Sequence, residues 1–125
     1  MEASYAIETL EQATEQIFEK YREISYIAVI DGAAKVVVQK GFLELHPAKL
    51  DKFHIQTALL VKVCAVSAES FGTLDHVTVS FGSKSNAMVV PISRNFHMAI
   101  VLPHSAEISM QIIRHEISAC FDSCK

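Results

Sequence analysis

The 125-residue chain contains several residue groups whose types could do chemistry, and each can be tested on spacing. Gly82-Ser83-Lys84-Ser85 has the flavour of a phosphate loop. A working loop needs G-x-x-x-x-G-K-[ST] leading into a helix, so that backbone amides and the lysine surround the phosphates. Here Ser83 splits the Gly-Lys pair, the upstream glycine is absent, and the segment runs into a strand-like stretch, so it reads as a hairpin loop. The six histidines, His46, His54, His76, His97, His104 and His115, show neither an H-E-x-x-H pair nor a Cys/His pair. Cys120 and Cys124 stand at i,i+4 with His115 nearby, but zinc sites announce themselves by two ligand pairs. No G-x-S-x-G elbow is present, and Asp31 is explained by the turn it opens. The expectation is therefore no catalytic residue, no metal site and no cofactor. Arg94, at the tip of the last expected hairpin, is kept as a candidate partner contact. An exposed arginine can stabilise charge on a transferring phosphoryl group, although a solvated turn residue is the plainer reading.

Composition narrows the classes further. Hydrophobic residues make up 50% and charged residues 20%, with a formal net charge of −3 and no lysine/arginine cluster. That suits one globular domain over residues 1–125 and excludes a nucleic-acid surface, which requires a basic patch. Three cysteines, Cys64, Cys120 and Cys124, do not make a disulfide framework. The first residues, MEASYAIETLEQ, lack the basic and apolar regions of a signal peptide, which predicts a reducing, cytoplasmic setting.

The elements that would position these residues follow from periodicity. Residues 5–24 predict an amphipathic helix capped by Ser4. Ile7, Leu10, Ile17, Phe18, Tyr21 and Ile24 lie on one face, with Glu8, Glu11, Glu15, Glu19 and Glu23 on the other. Tyr26–Asp31 and Lys35–Lys40 predict a hairpin about Asp31-Gly32. The first of these strands is apolar on both faces and belongs inside a sheet; the lysines of the second suit an edge. After a loop over 41–50, residues 51–71 predict a helix ending at Gly72. His76–Phe81, Ala87–Ile92 and Phe96–Leu102 then predict a meander, with Pro91 at a bulge or beyond the paired part. Ser105–Phe121 closes the chain as a helix with Ala106, Met110, Ile113, Ile117 and Cys120 as its buried stripe.

The helix over 51–71 carries the functional expectation. Ile55, Ala58, Leu59, Leu60, Val61, Val63, Cys64, Ala65, Val66 and Ala68 point in nearly every direction at 100° per residue, the pattern of a buried helix. Lys62 and the short apolar run argue against membrane insertion. One sheet can cover only one side of such a helix. The strand His76–Phe81 alternates cleanly, suits an edge and carries no lysine or proline to guard it. Two copies that paired these edges across a two-fold axis would bury their apolar helices together. The expected dimer interface is Ile55, Leu59, Val63 and Val66 on the helix, with His76, Val77, Thr78, Val79 and Ser80 on the strand.

The strand ending in Asp31-Gly32, the valine strand after it, the Ala/Val-rich helix, HVTVSF, and AMVVPI/FHMAIVL before a terminal amphipathic helix together resemble the roadblock / dynein light chain family. The resemblance covers about residues 7–121. It implies an α/β, roadblock/profilin-like α-β-β-α-β-β-β-α fold. For its five-stranded antiparallel sheet, the two central strands and the lysine-marked edge predict the order 2-1-5-4-3, with helices on both faces. It also implies a non-enzymatic homodimer, or a heterodimer with a paralogue, serving as a platform for a Ras-like small GTPase. An adaptor or light-chain subunit without GTPase regulation, and a small-molecule sensor domain, are the alternatives. The family often has a glycine-rich lead into its first strand, where this chain has Glu23-Ile24-Ser25-Tyr26.

Overall fold

One antiparallel sheet partitions the molecule into a thick layer and a thin one. The computed structural model describes residues 7–81, 84–106 and 109–122. Their order is α1 (Ile7–Lys20), β1 (Tyr26–Asp31), β2 (Val36–Gly41), α2 (Pro47–Ala65), the short α3 (Ala68–Phe71), β3 (Val77–Phe81), β4 (Ser85–Pro91), β5 (Phe96–Pro103) and α4 (Met110–Asp122). The five strands lie in the order β2-β1-β5-β4-β3, every neighbouring pair antiparallel. The expected topology is the observed one. β1 and β5, apolar on both faces except at His97 of β5 and at Asp31, which ends β1, are central, and β2 and β3 are the edges.

On the thick side, Ile27 and Val29 of β1, Met88 and Val90 of β4 and Met98, Ile100 and Leu102 of β5 face α1 and α4, which contribute Leu10, Ile17, Ile113 and Ile117. The period-2 alternation of the strands meets the period-3.6 stripes of the helices here. Lys20 Nζ and Tyr21 Oη both bond Glu116 Oε1, tying the end of α1 to α4. On the thin side the sheet presents Tyr26, Ala28, Ile30, Ala87, Ala99 and Val101, three of them alanines, and α2 lies across them. Small side chains let the helix approach but leave little apolar surface to bury.

The boundaries differ from expectation for local reasons. α1 ends at Lys20, and Tyr21–Ile24 turns into β1 with Ile24 N–H donating to Tyr21 O. Ile7 is exposed, against its expected place on the buried face; Ser4 lies outside the described residues. The β1–β2 link is a three-residue loop rather than a tight Asp-Gly turn. Asp31 Oδ1 accepts from the Ala33 and Lys35 amides, and the left-handed residue is Ala34 (φ 67°), followed by a register shift opposite Val29/Ile30. α2 begins at Pro47, four residues earlier than expected, because His46 caps it: its Nδ1 accepts from Ala48 N–H, and proline suits N1. The expected single helix breaks at Val66-Ser67. Ser67 O then accepts from Ser70 and Phe71 to start α3, which stops at Gly72 (φ 97°). Clustered valines and a serine are poor helix formers, which places the break there.

Pro91 is neither bulged nor beyond the paired part. It is the last paired residue of β4, opposite His97. Ile92 N–H points at Phe96 O of β5, so the Pro91 nitrogen faces the other side, where β3 has already ended. Phe81 and Ser85 are paired, so the connection after Phe81 is a hairpin loop; Gly82 and Ser83 lie outside the described residues. α4 begins at Met110, not Ser105, with Ser109 Oγ accepting from Gln111 N–H at 3.1 Å. Its buried stripe is Ile113, Ile117 and Phe121, while Ala106, Met110 and Cys120 are only partly covered. Cys124 lies outside the described residues.

Candidate interaction surface

The helix expected to be buried all round is covered on one side only. Its buried residues are His54, Thr57 and Ala58. On the opposite side Ile55, Leu59, Val63 and Val66 make a stripe at spacings of four, four and three, and all four are exposed, from 49% at Ile55 to 82% at Val66. Phe71 of α3 and Phe81 at the end of β3 are exposed as well. Solvent-facing apolar side chains in one row are a contiguous patch rather than the scatter normal on a surface.

Beside the stripe, α2 and the β3–β4 pair enclose an apolar groove of about 410 Å³, walled by Phe53, Leu59, Leu60, Val63, Val79 and Phe81. Val77 and Val79 pair with Val89 and Ala87, which places them on the α2 side of the sheet. Thr78 pairs with Met88 of the thick core, so Thr78 and Ser80 point to the opposite side. Of the residues singled out from sequence, Leu59, Val63 and Val79 therefore meet in one groove. Ile55 and Val66 extend it along the helix, and Thr78 and Ser80 lie behind the same edge strand. His76 stands one residue before β3. Its Nδ1 lies 2.6 Å from Asp75 Oδ2, and Asp75 Oδ1 accepts from Arg114 of α4 at 3.1 Å. Arg94 is exposed in the β4–β5 turn and borders separate clefts, one of them with Lys62, Phe96 and His97.

Beneath the stripe the helix rests on polar groups, which sequence reading missed. Tyr26 Oη of β1 donates to Gln39 Oε1 and lies 2.8 Å from His54 Nε2. Thr57 Oγ1 donates to His54 O and lies 3.0 Å from His97 Nε2 of β5. Each hydroxyl has one proton and has given it away, so each imidazole supplies its own Nε2–H. Burial presses the His97 imidazole down to about 4 and lowers His54 too, while it pushes the Tyr26 phenol up to about 12. The available signal was His97 alone among apolar residues in β5, with a His-x-x-Thr pair at the start of the apolar run of α2.

No group of three metal-ligating side chains occurs among the described residues, nor does a helix long and apolar enough to cross a membrane. Two thick-side helices, a crossover helix on the thin side and the strand order 2-1-5-4-3 define a roadblock-type fold. No protein-family model matches the sequence, and no curated protein matches it. Among solved structures the chain is similar to MglB from Myxococcus xanthus, at 11% identity over 99% of this chain and 90% of that one, with a TM-score of 0.72. It is also similar to a roadblock/LC7 domain from Streptomyces avermitilis (13% identity, 90% and 92% covered, TM-score 0.68). Acanthamoeba castellanii profilin II follows (13% identity, 91% and 94% covered, TM-score 0.56). Likeness at these identities is likeness of fold.

Proposed function

We propose that the chain is a non-catalytic, dimeric interaction module that binds a Ras-like small GTPase and regulates it. The observation that carries this reading is the exposed stripe Ile55, Leu59, Val63 and Val66 lying alongside an unguarded sheet edge, β3. A second copy satisfies both needs at once. Antiparallel pairing of two β3 strands about a two-fold axis supplies partners for the edge amides of Val77–Phe81 and brings the two α2 stripes together.

Magnitudes favour using both features. Covering four half-exposed aliphatic side chains on each of two copies gives on the order of 1 kcal/mol apiece. Association costs about 4–15 kcal/mol, so the stripe alone is marginal and the strand ladder contributes the rest, together with the register. The groove offers little to a polar small molecule, since Gln56 is its one polar lining residue apart from the engaged Thr57. This counts against a sensor domain.

The GTPase part of the reading rests on the family resemblance. Regulation would work by differential affinity for the two nucleotide states, which shifts their populations. His76, Val77, Thr78, Val79 and Ser80 belong to the self-association surface, and Arg94 is the candidate contact for the GTPase. The setting is cytoplasmic. Light scattering on a dilution series tests the dimer: a dimer is expected for the native chain and a folded monomer for Val79→Lys and Leu59→Asp. Binding to a Ras-like GTPase from the same organism, loaded in turn with GDP and a GTP analogue, tests the rest. A monomer at every concentration, with no state-dependent binding, overturns the proposal.

A further inference from the structure

α2 presents an unusual contrast between its two sides. The apolar stripe Ile55, Leu59 and Val63 runs along the side that faces solvent, while the side that faces the sheet buries His54 and Thr57 beside Ala58, with Leu50 and Phe53 packed on the sheet in part. His54 and Thr57 reach a sheet face rich in alanine and bond it through Tyr26 and His97. His54, Thr57, Tyr26 and His97 are each at least 96% buried. The thick core, by contrast, is assembled from α1, α4 and the other face of the sheet and includes no residue of α2. The helix can therefore leave without opening that core, uncovering only the smaller thin-side cluster on which Leu50 and Phe53 pack.

The rings of this seat are bonded to hydroxyls, which carry no charge to balance an imidazolium, so burial favours the neutral forms. Both imidazoles present Nε2–H to a hydroxyl, leaving Nδ1 as the site that a proton would occupy. A proton there places a charge between helix and sheet. Asp31, at the end of β1, favours the charged form of His97, and Asp51, on α2 itself, favours that of His54. The His54 ring opposes charge on His97, and Tyr26 and Gln39 present only neutral groups. Lys62 and Arg94 border the cleft that reaches His97 and bring only positive charge to it. The two carboxylates therefore stand against the burial of both rings. A charged ring regains its hydration most cheaply by moving the helix above it.

We propose that α2 is held by a proton-sensitive seat: it lies on the sheet while His54 and His97 are neutral and is released, with its apolar stripe, when either ring takes up a proton. Regulation of self-association by this route rests on the function proposed above, whereas release of the helix does not. The kind of condition sensed is mild acidity, because an ordinary imidazole titrates near 6.5 and these are held below that.

Hydrogen exchange on the full-length chain, corrected for the intrinsic pH dependence of exchange, tests the seat at about pH 7.5 and about pH 5. Protection over residues 47–65 is expected to fall about ten-fold or more relative to β5 and α4, and to stay level in His54→Gln/His97→Gln, whose amides keep a donor but take no proton. A uniform change across all segments, or the same fall in the double variant, overturns the proposal. The histidine ring signals of the native chain supply a reading independent of any variant. Midpoints that track the loss of α2 protection support the seat, and titration of both rings with α2 still protected refutes it. Light scattering at both pH values separates the two proposals. A monomer at about pH 7.5 whose α2 loosens at about pH 5 keeps the seat and removes the dimer. A dimer whose α2 is indifferent to pH does the reverse.

Discussion

Ala34 occupies the left-handed region at φ 67°, where only glycine sits without strain, while Gly32 two residues earlier does not need its freedom there. Ala34→Gly is expected to be neutral to stabilising by up to about 1 kcal/mol, since relief of the αL penalty competes with the added entropy of the unfolded chain. Urea titration reads this directly, and a loss of stability would show that the loop is held differently. Gly41 is the opposite case. At φ +85° an added Cβ would lie 2.3 Å from Ser25 O, a backbone atom that cannot swing away. Gly41→Ala is expected to cost at least about 2 kcal/mol, through strain and loss of the Phe42-to-Ser25 hydrogen bond. His97 sets a pH dependence whose sign is fixed by its depression to about 4. The unfolded chain binds the extra proton below about 6.5, so the contribution is complete above that value and is lost as the pH falls toward 4. Roughly 3 kcal/mol is at stake over the window. Denaturant midpoints at successive pH values should decline across it in the native chain and decline less in His97→Gln, where only the lowered His54 still contributes. Glu116, held low by Lys20 and Tyr21, adds its own acid loss only below its ordinary 4.5, outside most of that range.

At the scale of elements, the helices were harder to read than the strands. The existence of α2 was plain from composition, but its beginning was not, because a histidine followed by proline is a less familiar cap than serine or aspartate. Its burial was overestimated for a definite reason. An apolar circumference says that a helix avoids water, not which neighbour removes the water. The buried polar residues were invisible for the converse reason: His54 and Thr57 look like solvent-facing residues until a sheet hydroxyl and a second imidazole are placed against them. Thr57→Val keeps the shape and removes the hydroxyl, leaving the His97 Nε2–H without its acceptor. The expected cost is about 1–3 kcal/mol. Unfolding of the variant by denaturant checks it, and an unchanged midpoint would mean that the hydrogen bond contributes nothing net. Ile117→Ala in the thick core should cost about 2–5 kcal/mol, whereas Leu59→Asp on the exposed stripe should leave the midpoint of the isolated chain within about 0.5 kcal/mol.

For the whole molecule, strand order was legible because each strand declared its place: two with no polar face, one carrying lysines, one alternating. The positions in one groove were legible in part, since Leu59, Val63 and Val79 follow from period and edge status, while the depth of that groove depends on how closely alanines let the helix approach. The two edges are not alike. β3 offers a clean alternating strand, whereas β2 begins beside Lys35, includes Lys40 and carries the register shift near its start. If two five-stranded sheets join through β3, the joined sheet ends in β2 on both sides. Such a strand works as a chain terminator does in a polymerisation: it occupies every growing tip with a unit that adds nothing further. On that joining, the asymmetry between the edges would set a stoichiometry, with sheet growth through strands stopping at two copies however concentrated the protein became.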